Sequence, residues 1–129
     1  MKILIFAFLT LAHCALADAD QMQLADGKII LSAKAAWQVF NVNPLKVEHT
    51  IGKRKAIFGN VEKIARDSDG NPYILLMVTG ELGSVKCTFT DKDADALRAL
   101  PLAGRVIVEG TVKGMTLSIL VFTDCRFVK

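Results

Sequence analysis

Few side chains in this sequence carry reactive chemistry. The 129-residue chain has three cysteines, Cys14, Cys87 and Cys125, and two histidines, His13 and His49. A metal site or a nucleophile–base pair needs several convergent groups, and these residues are scattered along the chain. The sequence also shows no paired carboxylates with acid–base spacing and no nucleophile elbow. We therefore expect no catalytic residues, no metal ligands, no cofactor and no enzymatic activity.

The first 17 residues have the three-part pattern of an export signal. Met1 and Lys2 give a positive start, residues 3–12 are apolar, and Ala15-Leu16-Ala17 supplies the small residues that signal peptidase requires. The apolar run is too short to span a bilayer. We predict a signal peptide over 1–17 and a periplasmic or secreted protein, with a buried N-terminal helix as the alternative. We do not expect a lipid anchor at Cys14, because the preceding His13 is neither small nor apolar.

The next segment reads as a polar linker, 18–31, followed by a short helix. Ser32 can cap this helix, which is predicted over 33–42 and ends before Asn43-Pro44. Its apolar stripe is expected to cover an open end of the domain that follows. Trp37 on that stripe is interpreted as a core residue, with an exposed ligand-stacking role as the alternative.

The remaining chain predicts five strands with one short helix between the third and the fourth. Apolar alternation and turn signals place the strands at 53–65, 73–79, 84–90, 104–113 and 116–128. Asp91 is expected to cap the helix. This order favours a mainly β, five-stranded barrel of the oligonucleotide/oligosaccharide-binding (OB) type over a sandwich, because closure removes exposed sheet edges. The domain is assigned to 32–129.

Cys87 and Cys125 fall on the third and fifth predicted strands, which are neighbours in an OB barrel. Both are assigned to the inner face, so we predict a disulfide between them. A closed loop of about 39 residues would stabilise the fold by roughly 4 kcal/mol in the chain-entropy model. Two separate buried thiols and a redox-active pair are the alternatives.

The candidate ligand-binding surface of an OB barrel consists of its second and third strands and two flanking loops. Here that surface would contain the following residues: Arg66, Asn71, Tyr73, Lys86, Thr88 and Lys113. Binding of single-stranded nucleic acid needs aromatic residues interleaved with cations. Tyr73 is the single aromatic in this set, and a formal net charge of +3 is mild. We therefore expect a protein, peptide or glycan of the cell envelope as the partner, rather than nucleic acid.

Several short motifs resemble one known family. They are Gly52-Lys53-Arg54, Phe58-Gly59-Asn60-Val61, Val85-Lys86-Cys87-Thr88-Phe89, the segment 102–110, and Asp124-Cys125-Arg126-Phe127. Over 35–127 the sequence is similar to the tRNA_anti-like OB-fold family of small exported bacterial proteins and lipoproteins. The resemblance implies an OB fold and brings no catalytic residues with it.

These observations define the expected function. The leading hypothesis is an exported, non-catalytic binding or accessory module that acts on an envelope component. The alternative is a single-stranded nucleic-acid-binding OB protein, which would show salt-dependent retention on single-stranded DNA. The third hypothesis is an enzyme with an unrecognised site.

Overall fold

A computed structural model describes residues 20–80 and 82–128, which form one seven-stranded sheet with short helices at its ends. The predicted signal peptide and Cys14 lie outside the described residues. The strands are β1 (Gln21–Gln23), β2 (Ile29–Ser32), β3 (Arg54–Arg66), β4 (Pro72–Met77), β5 (Ser84–Thr88), β6 (Arg105–Thr116) and β7 (Ile119–Phe127). The helices are α1 (Ala33–Val42), α2 (Pro44–Val47) and α3 (Ala94–Arg98). Two 3-10 turns, Glu48–Thr50 and Asp91–Asp93, precede β3 and α3.

Five of the strands form a closed cycle of pairings. The pairings run β3-β4-β5-β7-β6, and β6 pairs with β3 again, which makes a closed cycle that we call the ring. All neighbours in the ring are antiparallel except β5 and β7. The five predicted strands are thus confirmed, with shifted ends. Ring closure leaves these strands without a long open edge, which protects them from pairing with other chains.

The segment 18–31, interpreted as a linker, contains two further strands. β1 and β2 form an antiparallel hairpin, and β2 pairs in parallel with the first half of β3. Gly27 sits in the hairpin turn with a φ of 88°, a conformation that glycine adopts without strain. The sheet therefore has seven strands rather than the five expected. Strands of three and four residues give too few alternations for sequence periodicity to detect.

Helix α1 covers one end of the ring. The Ser32 hydroxyl caps it by accepting a hydrogen bond from the Ala35 backbone N–H at 3.0 Å. Trp37 is 4% exposed, and its Nε1–H donates to the Ser118 carbonyl at 2.9 Å. The helix also contacts all five strands of the ring. The predictions of this cap, of a buried Trp37 and of a helix over the open end are confirmed.

The β6–β7 turn differs from its predicted position at Gly114-Met115. The chain turns instead at Leu117 and Ser118, with φ angles of 49° and 66°. Gly114 lies inside β6, where the register shifts between Val112 and Gly114. This irregularity lengthens β6 and moves the turn by three residues. On β7, Leu120 and Phe122 enter the core.

Helix α3 closes the opposite end of the ring. Ala94 and Leu97 are buried, as the apolar spacing predicts. Asp91 does not cap the helix; its carboxylate pairs with Arg66 at 2.7 Å, and the chain enters α3 through a 3-10 turn. Among the described residues, no helix is long and apolar enough to cross a membrane.

Candidate functional site

The outward side of β3, β4, β5 and β7 forms one continuous surface, because paired residues share a face. Lys63 pairs with Leu75, Leu75 with Lys86, and Lys86 with Val121, which makes a row across four strands. Two flanking rows follow from the same pairings. We call the outer face the following ten residues: Lys63, Ala65, Tyr73, Leu75, Met77, Ser84, Lys86, Thr88, Ile119 and Val121.

Tyr73 and Lys86 form the centre of the outer face. Tyr73 is half-buried on β4 and pairs with Thr88 of β5. The Lys86 ammonium lies over the Tyr73 ring, with Nζ 4.6 Å from the ring centroid, within the range of a cation–π interaction. Three of the six predicted binding residues are therefore brought together. The arrangement offers one aromatic ring and a mobile cation at the same point.

Lys63 belongs to this surface although strict alternation along β3 would place it inside the ring with Val61. The pairing of β3 with β4 shifts between Val61 and Lys63, which marks a β-bulge at Glu62. The inserted residue turns Lys63 outward. Lys63 is exposed, and one strand lies between it and Lys86. Lys63 was not among the predicted binding residues, because a bulge depends on strand pairing and cannot be recognised from composition.

Arg66, the last residue of β3, and Asn71, in the β3–β4 loop, are not part of the outer face. The Arg66 guanidinium donates to the Gly70 carbonyl at 2.6 Å and to Asp91. The Asn71 backbone N–H donates to the Asp67 carboxylate at 3.0 Å. Both residues thus stabilise the loop. Lys113 is exposed at the β6 irregularity, next to Gly114, which pairs with Val121 of the outer face.

The charge of the outer face is one-sided. None of its ten side chains is acidic, and two are lysines. Glu109 lies on β6, and its carboxylate forms ion pairs with two arginines. Its Oε1 lies 3.7 Å from Arg54 and 2.8 Å from Arg126. The outer face and its border with Lys113 therefore favour an anionic ligand with planar groups.

Cys87 and Cys125 are free thiols in this structure, and both are buried. Their side chains are hydrogen-bonded to each other, and this bond together with burial raises the pKa of Cys87 well above its ordinary value. The structure thus brings the two sulfurs together as predicted, but without the predicted covalent bond. Within the described residues, no group of three or more His, Cys, Asp or Glu side chains is placed to hold a metal ion.

A separate cavity of about 450 Å³ lies between β2, α1 and the start of β3. Its walls are mostly apolar, with Ile30, Phe40 and Phe122 among them. The charged pair at its rim, Arg54 and Glu109, is already engaged with itself and with neighbouring backbone groups. Lys28, Thr50 and Lys55 also line this cavity.

Comparison with known proteins identifies the family of the chain and a solved structure of similar fold. The tRNA_anti-like family model matches residues 2–126. The chain belongs to the tRNA_anti-like family. A similar solved structure is the crystal structure of a "putative nucleic acid-binding lipoprotein" from Klebsiella pneumoniae subsp. pneumoniae. It is 19% identical, with a TM-score of 0.61 over 78% of this chain and 92% of that chain. No curated protein matches the sequence.

These comparisons correct the expected partner. We expected an envelope protein, peptide or glycan and set nucleic acid aside, chiefly because aromatic residues and net charge are few. Neither comparison supports an envelope partner: the matching family is tRNA_anti-like, and the similar Klebsiella structure is named as a nucleic acid-binding lipoprotein. The mild net charge of the whole chain does not show how charge is distributed over one face. The local charge of the outer face depends on strand pairing, which composition does not show.

Proposed function

We propose that this protein is a non-catalytic OB-barrel domain that binds single-stranded nucleic acid on its outer face. The observation that carries the proposal is the row Lys63–Leu75–Lys86 with Tyr73 beside it, on a surface without acidic side chains. Non-specific single-strand binders combine cations that follow the backbone with aromatic rings on which bases stack. The name of the Klebsiella relative supports the same ligand class.

The geometry suggests how a strand would be held. Lys63 and Lys86 lie two strands apart, or about 10 Å, and Lys113 borders the same row. A single strand that crosses the β-strands would place phosphates near these ammonium groups. Lys86 covers the Tyr73 ring in the free protein. On binding, it would leave the ring for a phosphate, and a base would stack in its place.

The proposal includes export. The N-terminal pattern of charge, apolar run and small residues is that of a signal peptide, and the Klebsiella relative is named as a lipoprotein. An exported chain would meet its nucleic acid outside the cytoplasm. Membrane fractionation of cells that express the full chain, with mass measurement of its N-terminus, tests this part separately from binding.

Fluorescence anisotropy with a labelled oligothymidine strand tests the binding. If Lys63, Lys86 and Lys113 neutralise three phosphates, log K should fall with log salt with a slope of about −2 for a single strand. Lys63→Gln and Lys86→Gln should each make the slope shallower by about 0.7. A matched duplex should bind more weakly, because its bases are not free to stack.

The control is Lys46→Gln, which removes an exposed lysine from α2, outside the outer face. It should leave the slope unchanged. Absence of saturable binding at low salt would contradict the proposed function. Equal effects of all three lysine substitutions would instead show a diffuse attraction with no role for the outer face.

A further inference from the structure

A bulge in β7 directs Cys125 into the ring. Glu109 pairs with Arg126 and Thr111 pairs with Thr123, so two steps on β6 face three steps on β7. The extra residue is Asp124, whose φ of 53° is in the left-handed region, which aspartate tolerates better than most residues. Simple alternation from the buried Phe122 would turn Cys125 outward. With the bulge, Cys125 is only 5% exposed.

Gly110 makes the room that Cys125 needs. A Cβ atom at position 110 would lie 2.5 Å from the Cys125 sulfur, closer than two such atoms can approach. Cys87, on the neighbouring strand of the ring, is fully buried and belongs to the same core cluster as Cys125. Three local features therefore converge: an inserted residue, a left-handed backbone and a glycine. Together they bring one sulfur against the other.

We propose that Cys87 and Cys125 become oxidised to a disulfide bond that ties β5 to β7 inside the ring. This inference rests on the strand geometry and does not depend on nucleic-acid binding. The oxidant is a low-molecular-weight or protein disulfide. One cysteine thiolate attacks it, forms a mixed disulfide and releases one thiol; the second cysteine then displaces the other. Both cysteines lose a proton, and the oxidant leaves as two thiols.

The position of the pair determines when the bond forms. Once the ring is closed, Cys87 has no exposed surface and Cys125 is only 5% exposed, so an oxidant has little access to the pair. The raised pKa of Cys87 also keeps the thiol protonated, and only the thiolate attacks a disulfide. Oxidation therefore occurs while the chain is still open, and the finished bond is shielded from reductants. The pair has a structural role, not that of a switch.

Oxidative refolding tests the proposal. The reduced, unfolded protein is refolded with oxidised and reduced glutathione, then unfolded again and alkylated with N-ethylmaleimide before or after reduction. Cys87 and Cys125 should resist alkylation until a reductant is added, and peptide mapping should recover them as one linked pair. Alkylation of both without reduction would overturn the proposal. Glutathione adducts on either cysteine, or linkage to Cys14, would overturn it as well.

The melting temperature gives a second readout. Reduction of the wild-type protein should lower Tm by about 10–15 °C, since it removes the constraint on the unfolded chain. Cys87→Ala and Cys125→Ala should each melt at the same temperature with and without reductant. An unchanged wild-type Tm after complete reduction would contradict the bond. Comparing the same side chains in two redox states avoids the packing change that a substitution introduces.

Oxidation rate separates the folded from the open chain. The folded, reduced protein should react with oxidised glutathione at least about tenfold more slowly than the same chain in denaturant, because both thiols are buried. Equal rates would show that the pair is accessible in the folded protein. That result would overturn the assignment of a structural bond made during folding.

Discussion

The inner and outer side chains of the ring come from the same strands but differ in burial and in contacts. On β5, Val85 and Cys87 have no exposed surface, whereas Lys86 and Thr88 between and beside them are half-exposed. The inner side chains pack against Trp37 at one end and Leu97 at the other. The outer side chains bear the Tyr73–Lys86 contact. We therefore expect stability to depend on the inner face and the proposed binding on the outer face, and substitutions should separate them.

The largest expected effect is on the inner side, at Trp37. Replacing it with alanine removes the indole that covers Gly83 and the hydrogen bond to Ser118. Loss of a buried tryptophan costs about 3–5 kcal/mol, so Trp37→Ala should unfold at much lower urea concentration. Val42→Ala, on the same helix but 80% exposed, is the control and should unfold nearly as the wild type does.

Measuring oligonucleotide binding by Trp37→Ala tests whether the inner and outer faces have separate roles. The folded fraction of Trp37→Ala should bind with wild-type affinity, because the indole is buried at the end of the ring and is not one of the outer-face side chains. A loss of affinity with normal stability would assign Trp37 to ligand stacking. That outcome would break the separation of the two faces.

The inner face was predictable from the sequence where strands alternate without interruption. Val85, Cys87 and Phe89 are buried as predicted, and so are Val106 and Val108. Prediction failed where an inserted residue reverses the alternation. The bulge at Glu62 turns Lys63 outward, and the bulge at Asp124 lets both Phe122 and Cys125 face the inside of the ring. Each depends on how two strands pair, and pairing is a property of residues far apart in the chain.

The candidate site was predictable to a smaller extent. Tyr73, Lys86 and Thr88 share one face because short-range alternation on β4 and β5 is regular. Arg66 and Asn71 were assigned to the site from their place in a loop, yet their backbone and side-chain hydrogen bonds hold that loop together. Loop composition predicts where a turn lies but not which side chains remain available to a ligand.

On the outer side, Tyr73→Leu should weaken binding with little effect on folding. Base stacking on an aromatic ring contributes about 1–3 kcal/mol, so the dissociation constant should rise by roughly tenfold to a hundredfold. Stability should change little, since Tyr73 is only half-buried and has no core contact comparable to that of Trp37. Urea unfolding and anisotropy on the same preparations provide the two measurements.

Tyr73→Phe is the matched control for this substitution, because phenylalanine keeps the ring and loses only the hydroxyl. It should bind nearly as well as the wild type. If leucine and phenylalanine weaken binding equally, the hydroxyl rather than the ring makes the contact. If Tyr73→Leu destabilises the fold as much as Trp37→Ala does, the outer face is part of the core and the comparison fails.

The smallest expected effect is the pH dependence of stability, which depends on Cys87 on the inner side. In the reduced protein, the hydrogen bond with Cys125 and burial hold the pKa of Cys87 well above its unfolded value. Above about pH 8.5, the ordinary cysteine pKa, the unfolded chain releases a proton that the folded chain retains. The folded state then binds more protons, so stability falls as pH rises, by up to about 1.4 kcal/mol per pH unit. Below that pH the contribution is fully present.

Urea unfolding at a series of pH values from 7 to 10, with and without reductant, measures this slope. The oxidised protein has no thiol to titrate at these positions, so subtracting its curve removes the contribution of lysines and tyrosine. Cys87→Ala under reducing conditions should lose most of the slope. A reduced wild-type protein whose curve parallels the oxidised one would show that the thiol pair is hydrated in the folded state. Water would then reach the inner face, and the inner and outer faces would not differ in this respect.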